Sequence, residues 1–129
     1  MREIKFAWVC LNIKFNEIKR VELTDTMLIK REYPSWITTD NCKVLAKIRP
    51  TGLPDCKGKE IYEGDIVKFD KYEWYRSPIN TKEMIDKLPD YYETITFDYQ
   101  GVHPNKYDLE NWCEVVGNLY ETPELIGKP

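Results

Sequence analysis

Apolar and polar residues alternate along much of this chain, and the alternation predicts strands. In residues 1–9, Glu3, Lys5 and Ala7 point one way while Ile4, Phe6 and Trp8 point the other, as in a half-buried strand. Leu11, Ile13 and Phe15 carry the alternation on against Asn12, Lys14 and Asn16. Strand-like pieces follow at residues 18–23 and at Met27, Leu28 and Ile29, separated by a turn at Thr24, Asp25 and Thr26. Together they read as a meander of antiparallel strands. Pro34 and residues 38–41 mark loops, and residues 44–48 form another strand closed by Pro50.

The most regular stretch comes next. Asp55 and Gly58 fit the first and last positions of a type I turn. Gly64, between Glu63 and Asp65, suits a second turn that needs a positive φ. Residues 66–69 run out as a strand with Val67 and Phe69 inward, Ile66 partly covered and Lys68 outward. Residues 70–80 are polar and aromatic and leave the sheet. A helix follows near residues 81–88, capped by Asn80 or Thr81, with Met84, Ile85 and Leu88 as its apolar stripe and Pro89 as its stop. Residues 92–97 alternate again as a strand, residues 100–105 form a turn or loop, residues 112–117 are the last strand, and Pro123 can open a last helical turn. The fold expected is mainly β: a small antiparallel β-barrel or a strongly bent sheet with one short inserted helix, in one domain over residues 1–129.

Composition supports the strands. The chain holds 4 Trp, 9 Tyr and 4 Phe, and aromatic residues favour pleated surfaces. No apolar run is long enough for a membrane span, and residues 1–5 lack the apolar core of a signal peptide, so the expected location is cytoplasmic, with no membrane partner. Four cysteines at 10, 42, 56 and 113 form no close pair and meet one histidine; neither a metal site nor a cofactor is expected. Net charge is −3, which speaks against a general nucleic-acid binder. The charge is nevertheless uneven: residues 1–60 hold 12 Lys/Arg against 8 Asp/Glu, and residues 61–129 hold 7 against 14. The imbalance suits solvated faces of both signs, a basic patch, or two complementary surfaces in an oligomer.

Three motifs then carry a family resemblance. Arg2-Glu3-Ile4-Lys5-Phe6-Ala7-Trp8 stands at the start. Thr51-Gly52-Leu53 leads into Lys57-Gly58-Lys59-Glu60-Ile61-Tyr62-Glu63-Gly64-Asp65-Ile66-Val67 in the middle. Cys113-Glu114-Val115-Val116-Gly117-Asn118-Leu119-Tyr120-Glu121-Thr122-Pro123-Glu124-Leu125 closes the chain. In content and order these resemble the YopX family of phage and prophage proteins. The resemblance implies a β-rich fold, a phage or prophage origin in a bacterial host, and no assigned activity or catalytic residue. Residues 70–110 lie outside it.

The motif residues Gly52, Asp55, Gly58, Tyr62, Gly64, Asp65 and Gly117 read as structural. Glu60, Glu63, Asp65 and Asp70 could gather around a cation, but turn chemistry explains them as well. His103 has no companion histidine and no nucleophile motif, which favours an exposed loop residue. The aromatic excursion is the candidate binding surface: Tyr72, Trp74, Tyr75, Arg76, Tyr91 and Tyr92, with Tyr99 beyond them. The same rings could equally cover the helix and a barrel end. The expected role is a non-enzymatic accessory protein that binds another protein or its own copy. The alternative is a small barrel binding nucleic acid through Lys14, Lys19, Arg20, Lys30, Arg31, Lys43, Lys47 and Arg49.

Overall fold

A computed structural model describes residues 5–38, 40–98 and 100–126. Arg2, Glu3 and Ile4 of the opening motif, and Tyr99, lie outside the described residues. The chain divides into two compact units, Met1–Pro50 and Thr51–Pro129.

The first unit is built on a sheet of order β2-β1-β3, from β1 (Lys5–Asn12), β2 (Glu17–Thr24) and β3 (Cys42–Ile48). All pairings are antiparallel, with Trp8 opposite Val21 on one side and Lys47 on the other. Phe6, Trp8 and Cys10 share a face of β1 and pack with Leu23 and Ile37. Ala7 and Val9 on the opposite face are also fully buried, so both faces of β1 are covered rather than one. The alternation at Ile13 and Phe15 does not extend the strand. Residues 13–16 turn instead, with Asn16 at φ 53° and the Phe15 amide donating to Asn12 Oδ1 at 3.3 Å. Met27, Leu28 and Ile29 likewise form no strand but belong to helix α1 (Asp25–Lys30). The Thr24 hydroxyl accepts from the Met27 amide and Arg31 ends the helix in the left-handed region, so caps decide the conformation of a short apolar run.

The second unit contains three sheets. The central one has order β10-β6-β7, from β6 (Asp65–Phe69), β7 (Tyr92–Thr94) and β10 (Cys113–Asn118). β4 (Pro50–Pro54) pairs with β5 (Glu60–Tyr62), and β8 (Thr96–Asp98) pairs with β9 (Gly101–His103). Ile61, Val67, Phe69, Ile95, Leu109 and Cys113 form its core. Val67 and Phe69 face inward as the alternation predicts, and Ile66 is fully buried as well. The expected strand over 92–97 is broken at Ile95, whose amide donates to the Asp65 carbonyl at 2.8 Å while its carbonyl accepts from Gly64.

The fold is mainly β with several antiparallel sheets. The described strands make no closed barrel: they divide among four sheets of three, three, two and two strands. Helices also number more than the one expected. Besides α1 the described residues include α2 (Lys71–Trp74), α3 (Lys82–Asp86) and α4 (Lys106–Trp112), with short 3₁₀ turns at Ser35–Thr38 and Pro123–Ile126. In α3 only Ile85 of the expected apolar stripe is buried, and Met84 is exposed.

The structural motif residues build the second unit's turns. Asp55 is 3% exposed, and its Oδ1 accepts from the amides of Lys57 and Lys59 at 2.9 and 2.8 Å. Its carbonyl accepts from Gly58 at 3.0 Å, which closes the expected turn. Asp65 is fully buried, and its Oδ2 accepts from the Tyr62 amide at 2.8 Å across the next turn. Gly52, Gly58 and Gly64 all have positive φ, and at Gly64 the value of 85° is one that side chains rarely adopt. Gly117 serves otherwise: an added Cβ would collide with Thr122 Oγ1 and lie 2.9 Å from Leu125 Cδ1.

Candidate functional site

The aromatic excursion begins where β6 ends. Asp70 caps α2, its Oδ1 accepting from the Tyr72 amide at 2.9 Å. Thr81 caps α3 through the Met84 amide. The two short helices are then tied together. Lys71 Nζ donates to the carbonyls of Asp86 and Leu88 at 3.3 and 3.2 Å, and the Tyr72 hydroxyl donates to the Asp86 carboxylate. That bond pushes the Tyr72 phenol up and holds the Asp86 carboxyl below its ordinary value. Tyr75 donates its hydroxyl to the Pro89 carbonyl at 2.8 Å, and Asn80 Nδ2 donates to the Tyr75 carbonyl at 2.7 Å. Helices this short have no intrinsic stability, and these bonds replace it.

The six nominated residues therefore divide. Tyr72 and Tyr75 spend their hydroxyls holding the excursion together. Trp74 and Tyr91 come together as stacked rings, 3.8 Å between centroids and 9° apart, with Phe69 at 5.1 and 5.4 Å from them. Despite this stack Trp74 remains 44% exposed. Arg76 reaches back to Glu73 at 3.5 Å with most of its side chain in solvent. Tyr92 sits in β7 opposite Lys68 and takes no part in the ring cluster. The Tyr91 hydroxyl donates to Glu93 at 2.7 Å, which pushes the phenol up, and Glu93 also faces His103 at 3.7 Å. His103 itself is exposed.

Beside Trp74 lies a hollow of about 290 Å³ lined by Phe69, Glu73, Trp74, Asp108 and Trp112. Two of these residues, Asp108 and Trp112, stand on α4, a helix the alternation does not show. Its only sequence signal is Asn105 three positions before Asp108, and Asn105 does cap the helix through the Asp108 amide at 2.9 Å. A second hollow, of about 240 Å³, shares Phe69 and Trp112 but is lined by charges of both signs, among them Lys57, Lys68, Asp70 and Glu114. In it Lys57 is already paired with Glu114 at 3.8 Å.

The other candidates are dispersed. Asp65 and Asp70 serve backbone amides, in a turn and a helix cap. Among the described residues no three His, Cys, Asp or Glu side chains converge as a metal site would require. All four cysteines are free thiols. Burial first, then a hydrogen bond with Cys42, pushes Cys10 up to about 12. Burial first, then the Asp108 carboxylate, pushes Cys113 up to about 12, so neither is poised as a nucleophile. The basic residues expected to meet nucleic acid lie on β2, β3, α1 with its C-cap Arg31, the turn at residues 13–16, and at Arg49 between β3 and β4. Residues 1–50 nonetheless carry 10 Lys/Arg against 6 Asp/Glu, while residues 51–129 carry 9 against 16.

The chain is thus a small, mainly β protein with turns built on Asp55 and Asp65 and an aromatic hollow beside Trp74. The YopX protein family model matches residues 5–127, so residues 70–110, where the motifs show no resemblance, fall within the match, and the chain belongs to that family. No curated protein matches it. The fold is similar to that in the crystal structure of protein EF1440 from Enterococcus faecalis, at 15% identity and a TM-score of 0.50, over 94% of this chain and 97% of that one. Among the described residues no helix is long and apolar enough to cross a membrane.

Proposed function

We propose that this chain is a non-enzymatic phage or prophage accessory protein that binds another protein through the aromatic excursion. The observation that carries this reading is the exposed Trp74, stacked on Tyr91 at the edge of a hollow walled by Phe69 and Trp112. Rigid aromatic rings beside a concave site are what interface anchors are made of. The free cysteines suit the reducing cytoplasm of a bacterial host. The test is affinity capture from a bacterial lysate with the intact chain and with Trp74→Ala, alongside size exclusion. A partner or self-associated species that Trp74→Ala abolishes supports the reading. A strict monomer that captures nothing overturns it.

A second reading, nucleic-acid binding by the first unit, draws on the excess of Lys and Arg in residues 1–50. It requires binding that weakens steeply with salt. No gel shift at low salt removes it.

A further inference from the structure

We infer that the hollow beside Trp74 is a receptor for one basic side chain, arginine or lysine, presented by the partner protein. The inference rests on the binding role proposed above and adds the chemistry of what is bound. The lining combines two kinds of group. Phe69, Trp74 and Trp112 supply aromatic walls, and Glu73 and Asp108 supply carboxylates; none of the five is basic. Aromatic walls alone would accept any apolar group, and exposed carboxylates alone would hold a hydrated ion loosely. Together they select an organic cation, because the ring faces attract positive charge once its water is removed and the carboxylates neutralise it.

The size agrees. About 290 Å³ lies at the lower end of small-molecule sites, fitting one long side chain better than a cofactor. Surroundings agree too, since residues 51–129 carry 16 acidic against 9 basic residues and would draw in a cationic group. Asp108 contributes a half-buried carboxylate that no basic side chain pairs among the described ion pairs. Glu73 is met by Arg76, whose side chain is 78% exposed. The chain's own guanidinium thus touches one carboxylate from the solvent side, where an incoming cation would compete with it. Arginine, planar and able to stack on an indole while forking to a carboxylate, suits such a lining better than lysine.

The test titrates the intact chain with N-acetyl-arginine methylamide, N-acetyl-lysine methylamide, choline and the uncharged N-acetyl-norleucine methylamide. Indole N–H resonances of Trp74 and Trp112 report binding. Saturable shifts at both indoles are expected with the arginine or lysine probe, at least about tenfold weaker with norleucine, and weakened by salt. Glu73→Gln and Asp108→Asn should each weaken the arginine probe by about tenfold, and Arg76→Ala should tighten it. Thermal unfolding midpoints of the variants establish that they fold; a variant that does not is replaced by Glu73→Ala or Asp108→Ala. Equal response to norleucine overturns the inference in favour of an apolar slot. Response to choline alone overturns it in favour of a non-protein cation. No response overturns it outright, yet leaves the binding role standing if partner capture still depends on Trp74.

Discussion

The carboxylate of Asp55 accepts a hydrogen bond from the backbone amide of Val115 at 2.9 Å, 60 positions further along the chain. The same side chain closes its own turn through Lys57 and Lys59, so one buried carboxylate serves three amides. Beside it the Cys56 amide donates to the Cys113 carbonyl at 2.8 Å, which fastens the turn to β10 a second time. Asp55→Ala leaves three amides without their acceptor and should destabilise the protein by about 3 kcal/mol. Asp55→Asn keeps one acceptor oxygen and should cost roughly half as much. Urea unfolding of the two variants beside the parent checks both values and their order.

Gly117 follows the irregularity between Val115 and Gly117 in the pairing of β10 with β6. The close approach comes from Thr122, whose hydroxyl accepts from the Asn118 amide at 3.0 Å and donates to the Asn118 carbonyl at 3.2 Å. Thr122 is therefore fixed and cannot retreat from a new methyl group. Gly117→Ala should destabilise by about 1–3 kcal/mol, the usual cost of overpacking. Adding Thr122→Ala should recover less than half of that, because it removes only the closest contact, leaves Leu125 Cδ1 at 2.9 Å, and gives up both hydrogen bonds to Asn118. Thermal melts of the single and double variants give the comparison.

Helix α1 is capped at its start by the Thr24 side chain. Thr24→Ala removes the acceptor for the Met27 amide and should cost about 1 kcal/mol, while Thr24→Asp should be nearly neutral. Met27 packs against the cluster of Cys10, Leu23 and Ile37, so its loss of order should loosen that cluster. Amide hydrogen exchange at residues 27–30 should speed up in Thr24→Ala alone.

How far the sequence shows this architecture differs from place to place. The turns at Asp55 and Gly64 and the inward face of β6 are legible because turn chemistry and a period of two are local signals. Met27, Leu28 and Ile29 are not, since three consecutive apolar residues fit a strand or a helix and only the caps at Thr24 and Arg31 choose. α4 shows little periodicity because it buries only Leu109 of its seven residues. The candidate site suffers most from that omission. Trp74 and Tyr91 are visible as part of an aromatic-rich stretch, but Asp108 and Trp112 reach the hollow only through tertiary packing. One of its two carboxylates and one of its three aromatic walls are therefore hidden in the sequence.

Cys10 and Cys113 ionise near 9.0 as free side chains and at about 12 in the fold, chiefly because both are buried. The folded state thus holds their protons more tightly than the unfolded chain does. Their stabilising contribution is complete below pH 9 and is lost as pH rises towards 12. Urea midpoints should fall across that window, and Cys113→Ala should flatten the fall after allowance for its cavity. Native alkylation with iodoacetamide should modify exposed Cys56 first and reach Cys10 and Cys113 only on unfolding.

Both neighbours of β6, β7 and β10, come later in the chain than β6 itself. During synthesis, then, the residues of the central motif leave the ribosome before either strand that covers them. The β2-β1-β3 sheet needs nothing beyond Ile48 for its pairing and can assemble as soon as that residue emerges. The central sheet of the second unit must wait for Asn118, the last residue of β10. A chain released between Phe69 and Tyr91 should carry a finished first sheet and an uncovered Ile-Val-rich strand, a ready substrate for chaperones and proteases.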